Sequence, residues 1–206
     1  MSYTVKMLPP AKYTIFIKAN YFLNLDNMAL KSTIFKTNLN IADMDRPYYG
    51  QHQLILARHP SETNERLMVR VLAFALFANE HLEFGRGLST EDDAALWLKD
   101  YTGDVRLWIE VGLPDPRVLR KACGRADSVV VLAYGGRQAD IWWTNNAAAL
   151  EKLDKLSVLA LDSEQSMALA SLASRGMDLQ CTIQDNQIWL TDGENTVAIE
   201  LRKLTK

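Results

Sequence analysis

The chain has 206 residues and a formal net charge of −2, with 23 lysines and arginines set against 25 aspartates and glutamates. That length suits one domain, or one domain with an appendage, and the near-neutral balance argues against a strongly basic, non-specific nucleic-acid binder while leaving room for a local basic patch. Two distant cysteines, Cys123 and Cys181, argue against a zinc ribbon or disulfide scaffold and read as small buried residues, and no apolar run approaches the roughly 20 residues of a membrane span.

Residues 1–27 read unlike the rest, with Pro9, Pro10, scattered lysines and an aromatic pair at Tyr21 and Phe22, and are expected to be either a loosely attached N-terminal extension or a stretch upstream of the physiological start. Tyr13 to Ile17 is too short for a secretory apolar region and has no small-residue cleavage site behind it, so the cytoplasm is the expected compartment. Met28 opens a regular stretch. Lys31 to Ile41 alternates as a strand, a turn runs from Asp43 to Gly50, and Gln51 to Arg58 is a second strand predicted to pair antiparallel with the first. His59 to Glu65 reads as a helix start with a hydroxyl cap and an acidic first turn. The helix then runs from Arg66 to Ala78. Glu65 leads its stripe of Met68, Val69, Leu72 and Leu76, so this carboxylate leans inward.

His81 to Leu88 reads as a short strand ending in glycines, followed by the acidic Glu91-Asp92-Asp93. Two readings of the next stretch stand. One is a strand hairpin, residues 95–100 and 105–112, turning around Tyr101, Thr102 and Gly103. The other is a short helix from Ala94 to Lys99 capped by Thr90. In the second limb of the hairpin Val105, Leu107, Ile109 and Val111 share one face, and Arg106, Trp108 and Glu110 the other. A glutamate beside a tryptophan on a covered face is costly unless a partner meets it, which marks Glu110 as a site candidate.

Asp115 and Pro116 start a helix, and Ser128 to Tyr134 reads as a strand buried on both faces, an interior parallel strand reached by a right-handed crossover. Beyond Gly135 and Gly136, Ile141 to Trp143 reads as a short strand, Asn145 to Leu153 as a helix, and Leu156 to Leu161 as a buried strand. Ser163 to Ser174 reads as a helix closed by Gly176. Strands at 179–184, 188–190 and 197–201 complete the chain and are predicted to form, with residues 28–58, a second, antiparallel sheet. The expected class is therefore α+β or α/β, a mixed central sheet flanked by helices with that second sheet beside it.

The constellation that carries chemistry joins Glu65, one aspartate of the pair Asp92 and Asp93, Glu110, and a cation from the helix of residues 117–125. Carboxylate oxygens facing one cavity make a hard site suited to Mg²⁺, which keeps several of its own waters. Such an ion lowers the pKa of bound water and neutralises charge on a scissile phosphate, while a lysine steadies the developing negative charge. The cluster Arg117, Arg120, Lys121 and Arg125 contains no acid between its ends and suits a phosphate-facing patch. The competing reading pairs Glu65 and Glu110 with Arg66, Arg70 or Arg106, makes Asp92 and Asp93 a helix cap, and leaves the basic cluster a solvated face. His52, His59 and His81 lack metal-ligand spacing, and the five tryptophans read as core.

Four strings carry a resemblance to a known family: Met-Ala-Leu-Lys-Ser-Thr-Ile-Phe-Lys (28–36), Leu-Ala-Arg-His-Pro-Ser-Glu-Thr-Asn-Glu-Arg (56–66), Leu-Trp-Ile-Glu-Val-Gly-Leu-Pro-Asp (107–115) and Leu-Gln-Cys-Thr-Ile-Gln-Asp (179–185). From Met28 onward the sequence resembles the bacterial YaeQ family. The resemblance implies one domain over 28–206 with a variant of the PD-(D/E)XK nuclease fold and an acidic pocket for Mg²⁺ or Mn²⁺. On that pattern Glu65 takes the place of the helix glutamate, Asp93 that of the hairpin aspartate and Glu110 that of the second acid. The chain departs at Glu110-Val111-Gly112, where glycine stands in place of the lysine; Lys121 is the cation expected to reach back. Two functions follow as expectations. One is Mg²⁺-dependent phosphodiester hydrolysis of DNA or RNA. The other is a catalytically inactive module binding nucleic acid or a transcription component.

Overall fold

The computed structural model describes residues 32–85 and 93–206. The expected extension over 1–27, the cap at Thr90 and the candidate Asp92 lie outside the described residues.

Clean alternation makes the first two strands. In β1 (Thr33–Asp43) Phe35, Leu39 and Ile41 turn to the core and Ile34, Lys36, Asn38 and Asn40 to solvent. β1 pairs antiparallel with β2 (Tyr48–Arg58), in register from Thr33 opposite Arg58 to Asp43 opposite Tyr48. The chain then enters α1 (Asn64–Leu76), capped by the Thr63 hydroxyl, which accepts from the Arg66 amide at 3.1 Å. Leu67 to Ala75 are all buried, so α1 is covered on every side over its middle turns. A helix apolar all round must be enclosed, and α1 is: its core cluster joins side chains of β1 and β2 to side chains of Leu96, Ile109, Val130 and Leu132.

Those last residues belong to the second sheet. β3 (Leu82–Phe84), β4 (Leu96–Lys99) and β5 (Val105–Val111) run antiparallel in turn, so 96–99 is a strand and the hairpin reading holds. α2 (Pro116–Arg125) crosses from β5 to the parallel β6 (Ala126–Ala133), and α3 (Arg137–Leu150) from β6 to the parallel β7 (Leu156–Ala160). After α4 (Ser163–Ser171) come β8 (Gly176–Gln184), β9 (Gln187–Thr191), β10 (Thr196–Glu200) and the short β11 (Arg202–Lys203). The strand orders are β10-β9-β8-β1-β2 and β11-β7-β6-β5-β4-β3. α1 and α4 fill the space between the sheets, and α2 and α3 cover the far face of the six-stranded one.

Three details differ from the sequence reading. The second sheet forms from the expected N- and C-terminal strands, but β1 and β8 pair in parallel, so it is mixed. Ile141 to Trp143 are helical: α3 starts at Arg137, and Ala139, Trp142, Trp143, Asn146 and Leu150 recur at helical spacing, with the Asn146 amide donating to the Trp142 carbonyl at 2.7 Å. α4 is capped at Asp162 and ends at Ser171, and Gly176 opens β8 instead of closing the helix.

Candidate acidic site at the head of the parallel strands

β5, β6 and β7 run the same way, so their C-terminal ends open onto one rim, where ligands of open α/β sheets gather. The chain leaves β5 at Glu110-Val111-Gly112 and β6 at Tyr134-Gly135-Gly136. Gly112 has φ 105°, a conformation that side-chain-bearing residues rarely adopt. Gly136 lies so close to the start of α4 that a β-carbon there would stand 2.8 Å from that of Ser163. The N-terminal turn of α1 reaches toward the same rim through α4, whose Ser166 hydroxyl donates to Glu65 Oε1 at 2.5 Å.

The arginines here are committed to a different acid from those anticipated. Glu62, only 4% exposed, accepts from Arg66 Nη1 at 2.9 Å and from Arg70 Nη1 at 3.0 Å. Burial pushes the Arg70 guanidinium down from its ordinary value, and the Glu62 charge opposes that. Arg106, the third candidate partner, bridges Asp100 at 2.6 Å and Asp127 at 2.7 Å. Glu65 and Glu110 are instead fixed by neutral donors, Ser166 in one case and the Trp108 indole N–H, at 2.7 Å, in the other.

Glu110 shares the α2–α3 face of β5 with buried Trp108. Burial pushes its carboxyl up from the ordinary 4.5, opposed by the Trp108 hydrogen bond and the Arg66 charge. Native Glu110 therefore holds its proton more tightly than the unfolded chain does. The stability this contributes is full below about pH 4.5 and is lost as pH rises through the higher folded value. Glu110→Gln keeps an acceptor for Trp108 and removes that loss. In urea titrations it is expected to gain stability over the parent at pH 8 and to match it near pH 4.

Asp93, partly buried, stands just ahead of β4. Leu96 pairs with Ile109, and the antiparallel direction carries Asp93 toward the Gly112 end of β5. The acids thus come from three elements, and among the described residues no three His, Cys, Asp or Glu side chains already converge as a metal cluster. Arg117, Arg120, Lys121 and Arg125 all lie on the exposed side of α2, opposite its buried Leu119 and Ala122. The N-terminus of α2 is tied to α3, where the Trp142 indole donates to the Pro114 carbonyl at 3.0 Å.

Sequence reasoning missed Glu62, Tyr134 and Ser166. A signal for the first was present: Glu62, Arg66 and Arg70 recur every four residues, and Arg70 interrupts an otherwise apolar helix. Tyr134 and Ser166 come from elements brought to this rim by the topology and carry no local signature.

Over residues 28–201 the chain matches the family model described as YaeQ protein. It is 48% identical over 174 residues to a Salmonella typhi protein described as uncharacterized protein YaeQ, across 84% of this chain and 96% of that one. The Escherichia coli (strain K12) protein of the same description is 46% identical over the same shares. The crystal structure of YaeQ protein from Xanthomonas axonopodis pv. citri superposes with a TM-score of 0.82 at 47% identity, covering 84% of this chain and 98% of that chain. The Pseudomonas syringae YaeQ structure gives 0.81 at 36% identity, covering 85% and 97%. With a matching family model over most of its length and close relatives along nearly their whole lengths, the chain belongs to the YaeQ family.

Proposed function

We propose that this protein is a metal-dependent phosphodiesterase acting on DNA or RNA, with Glu65, Glu110 and Asp93 holding the cation in a variant of the PD-(D/E)XK arrangement. The observation that carries the reading is that Glu65 and Glu110 are hydrogen-bonded by neutral donors while Arg66 and Arg70 both contact Glu62. The donor set is all hard oxygen and fits Mg²⁺ or Mn²⁺, which complete their shells with water and do not require a full protein cage. When bound, such an ion polarises a phosphoryl oxygen and lowers the pKa of water. Glu110 is aimed by Trp108 and Glu65 by Ser166, while Arg117, Arg120, Lys121 and Arg125 offer a stripe for the phosphate backbone.

Incubation with Mg²⁺ or Mn²⁺ and single-stranded, duplex and branched substrates tests this. Cleavage is expected, reduced at least about 100-fold by Glu110→Gln, together with cation binding in calorimetry. Cleavage undiminished in that variant, or no cation binding, overturns the reading. Gly112, where the related fold carries a lysine, favours a second reading, a non-hydrolytic nucleic-acid module. Its mark is binding that falls steeply with salt and is never followed by cleavage.

A further inference from the structure

Two arginines meet Glu62, and they are not equivalent. The Arg70 side chain is 2% exposed and sealed behind Phe84, over whose ring its guanidinium carbon lies 5.3 Å from the centroid. The Arg66 side chain is 15% exposed and meets Glu62 through Nη1 alone among the described residues. Arg70 by itself contacts both carboxylate oxygens of Glu62, at 3.0 and 3.2 Å. Arg66 is therefore the less enclosed of the two and the one that Glu62 can lose while keeping a partner. It stands in the first turn of α1 next to Glu65, whose carboxylate is held by Ser166 of α4, and its charge opposes the upward shift that burial gives the Glu110 carboxyl and the Tyr134 phenol.

We propose that Arg66 is the residue that grips a phosphate oxygen of the nucleic acid at this rim, its guanidinium turned outward while Arg70 retains Glu62. This rests on the phosphodiesterase reading and deepens it. A guanidinium presents a planar fork matched to a phosphate edge, which an ammonium does not. Losing Arg66 leaves Glu62 paired with Arg70, so the variant is expected to fold.

The experiment measures binding of a 5′-phosphorylated single-stranded oligonucleotide to the full chain, in EDTA and in Ca²⁺, alongside Mn²⁺ binding by calorimetry. Arg66→Ala is expected to weaken the oligonucleotide about tenfold or more in both conditions. Mn²⁺ binding should be unchanged or tighter, because a neighbouring positive charge is gone. Arg66→Lys should recover only part of the oligonucleotide affinity, and Arg125→Ala, at the far end of α2, should cost less than Arg66→Ala. Oligonucleotide affinity unchanged in Arg66→Ala, or restored fully by lysine, overturns the assignment, as does no oligonucleotide binding by the parent. A parent that binds the oligonucleotide through Arg66 but takes no Mn²⁺ sinks the phosphodiesterase reading and leaves Arg66 in place. Circular dichroism confirms that each variant is folded.

Discussion

Glu62→Ala is expected to destabilise the protein by about 3–5 kcal/mol, the scale of removing one partner from a buried ion pair. The Glu62 side chain is fully buried and Arg70 is 2% exposed, so the substitution strands a guanidinium in the layer between the sheets. Arg70 already leaves its Nε without an acceptor, so losing Glu62 adds to an unmet buried donor. Arg66 suffers less because it reaches solvent. Replacing Glu62 and Arg70 together by leucine and methionine removes both charges and should recover most of the loss, since apolar side chains of similar volume often match a buried pair. Urea unfolding of Glu62→Leu, Arg70→Met and the double variant closes the cycle. A Glu62→Ala loss below about 1 kcal/mol would mean that the triad is worth no more than a surface pair.

Leu132→Ala should cost about 2–5 kcal/mol by the same measurement. β6 is paired on both edges, by β5 and β7, and both its faces are covered; Leu132 has no exposed surface and points into the helical layer. The cavity cannot be filled by a neighbour without moving a paired strand, so the upper half of that range is expected. Ile55→Ala removes a side chain of the same volume from β2 at 70% exposure and should change stability by no more than about 0.5 kcal/mol. The contrast separates side-chain size from burial.

Most of the architecture could be read from the residues because each element carries its own period. β1 alternates, β6 is apolar and buried from Val129 to Ala133, and α2 opens with Asp115 and Pro116 as a cap and first-turn proline. The misread segment, Ile141 to Trp143, failed for a physical reason. Three bulky apolar residues in a row satisfy a strand template, and only Ala139 before them and Asn146 and Leu150 after them disclose the helical spacing. The direction of β1 against β8 was beyond reach, because strand orientation is set by how the chain returns and not by either strand's pattern.

Of the proposed site, Glu65 and Glu110 stand out in the sequence because a carboxylate on an apolar face is conspicuous, and both are partly buried. What holds them was not found, because Ser166 lies 101 positions from Glu65 in the chain and its serine is unremarkable on its helix. Glu62 sat in plain view as one more acid at a helix start, one residue ahead of the Thr63 cap. Its burial follows from the sheet that closes over α1, which no local pattern reports.

The side-by-side, same-direction pairing of β1 with β8 also governs how the protein is made. Lys36, among the first residues of β1, finds its neighbour only when Gly176 arrives, so one edge of β1 waits unfilled through most of translation. The β1–β2 hairpin and the oily segment of α1 must be shielded meanwhile. A ribosome stalled before β8 should therefore present a nascent chain that chaperones hold, and release of β8 to β10 should be the step that lets it go.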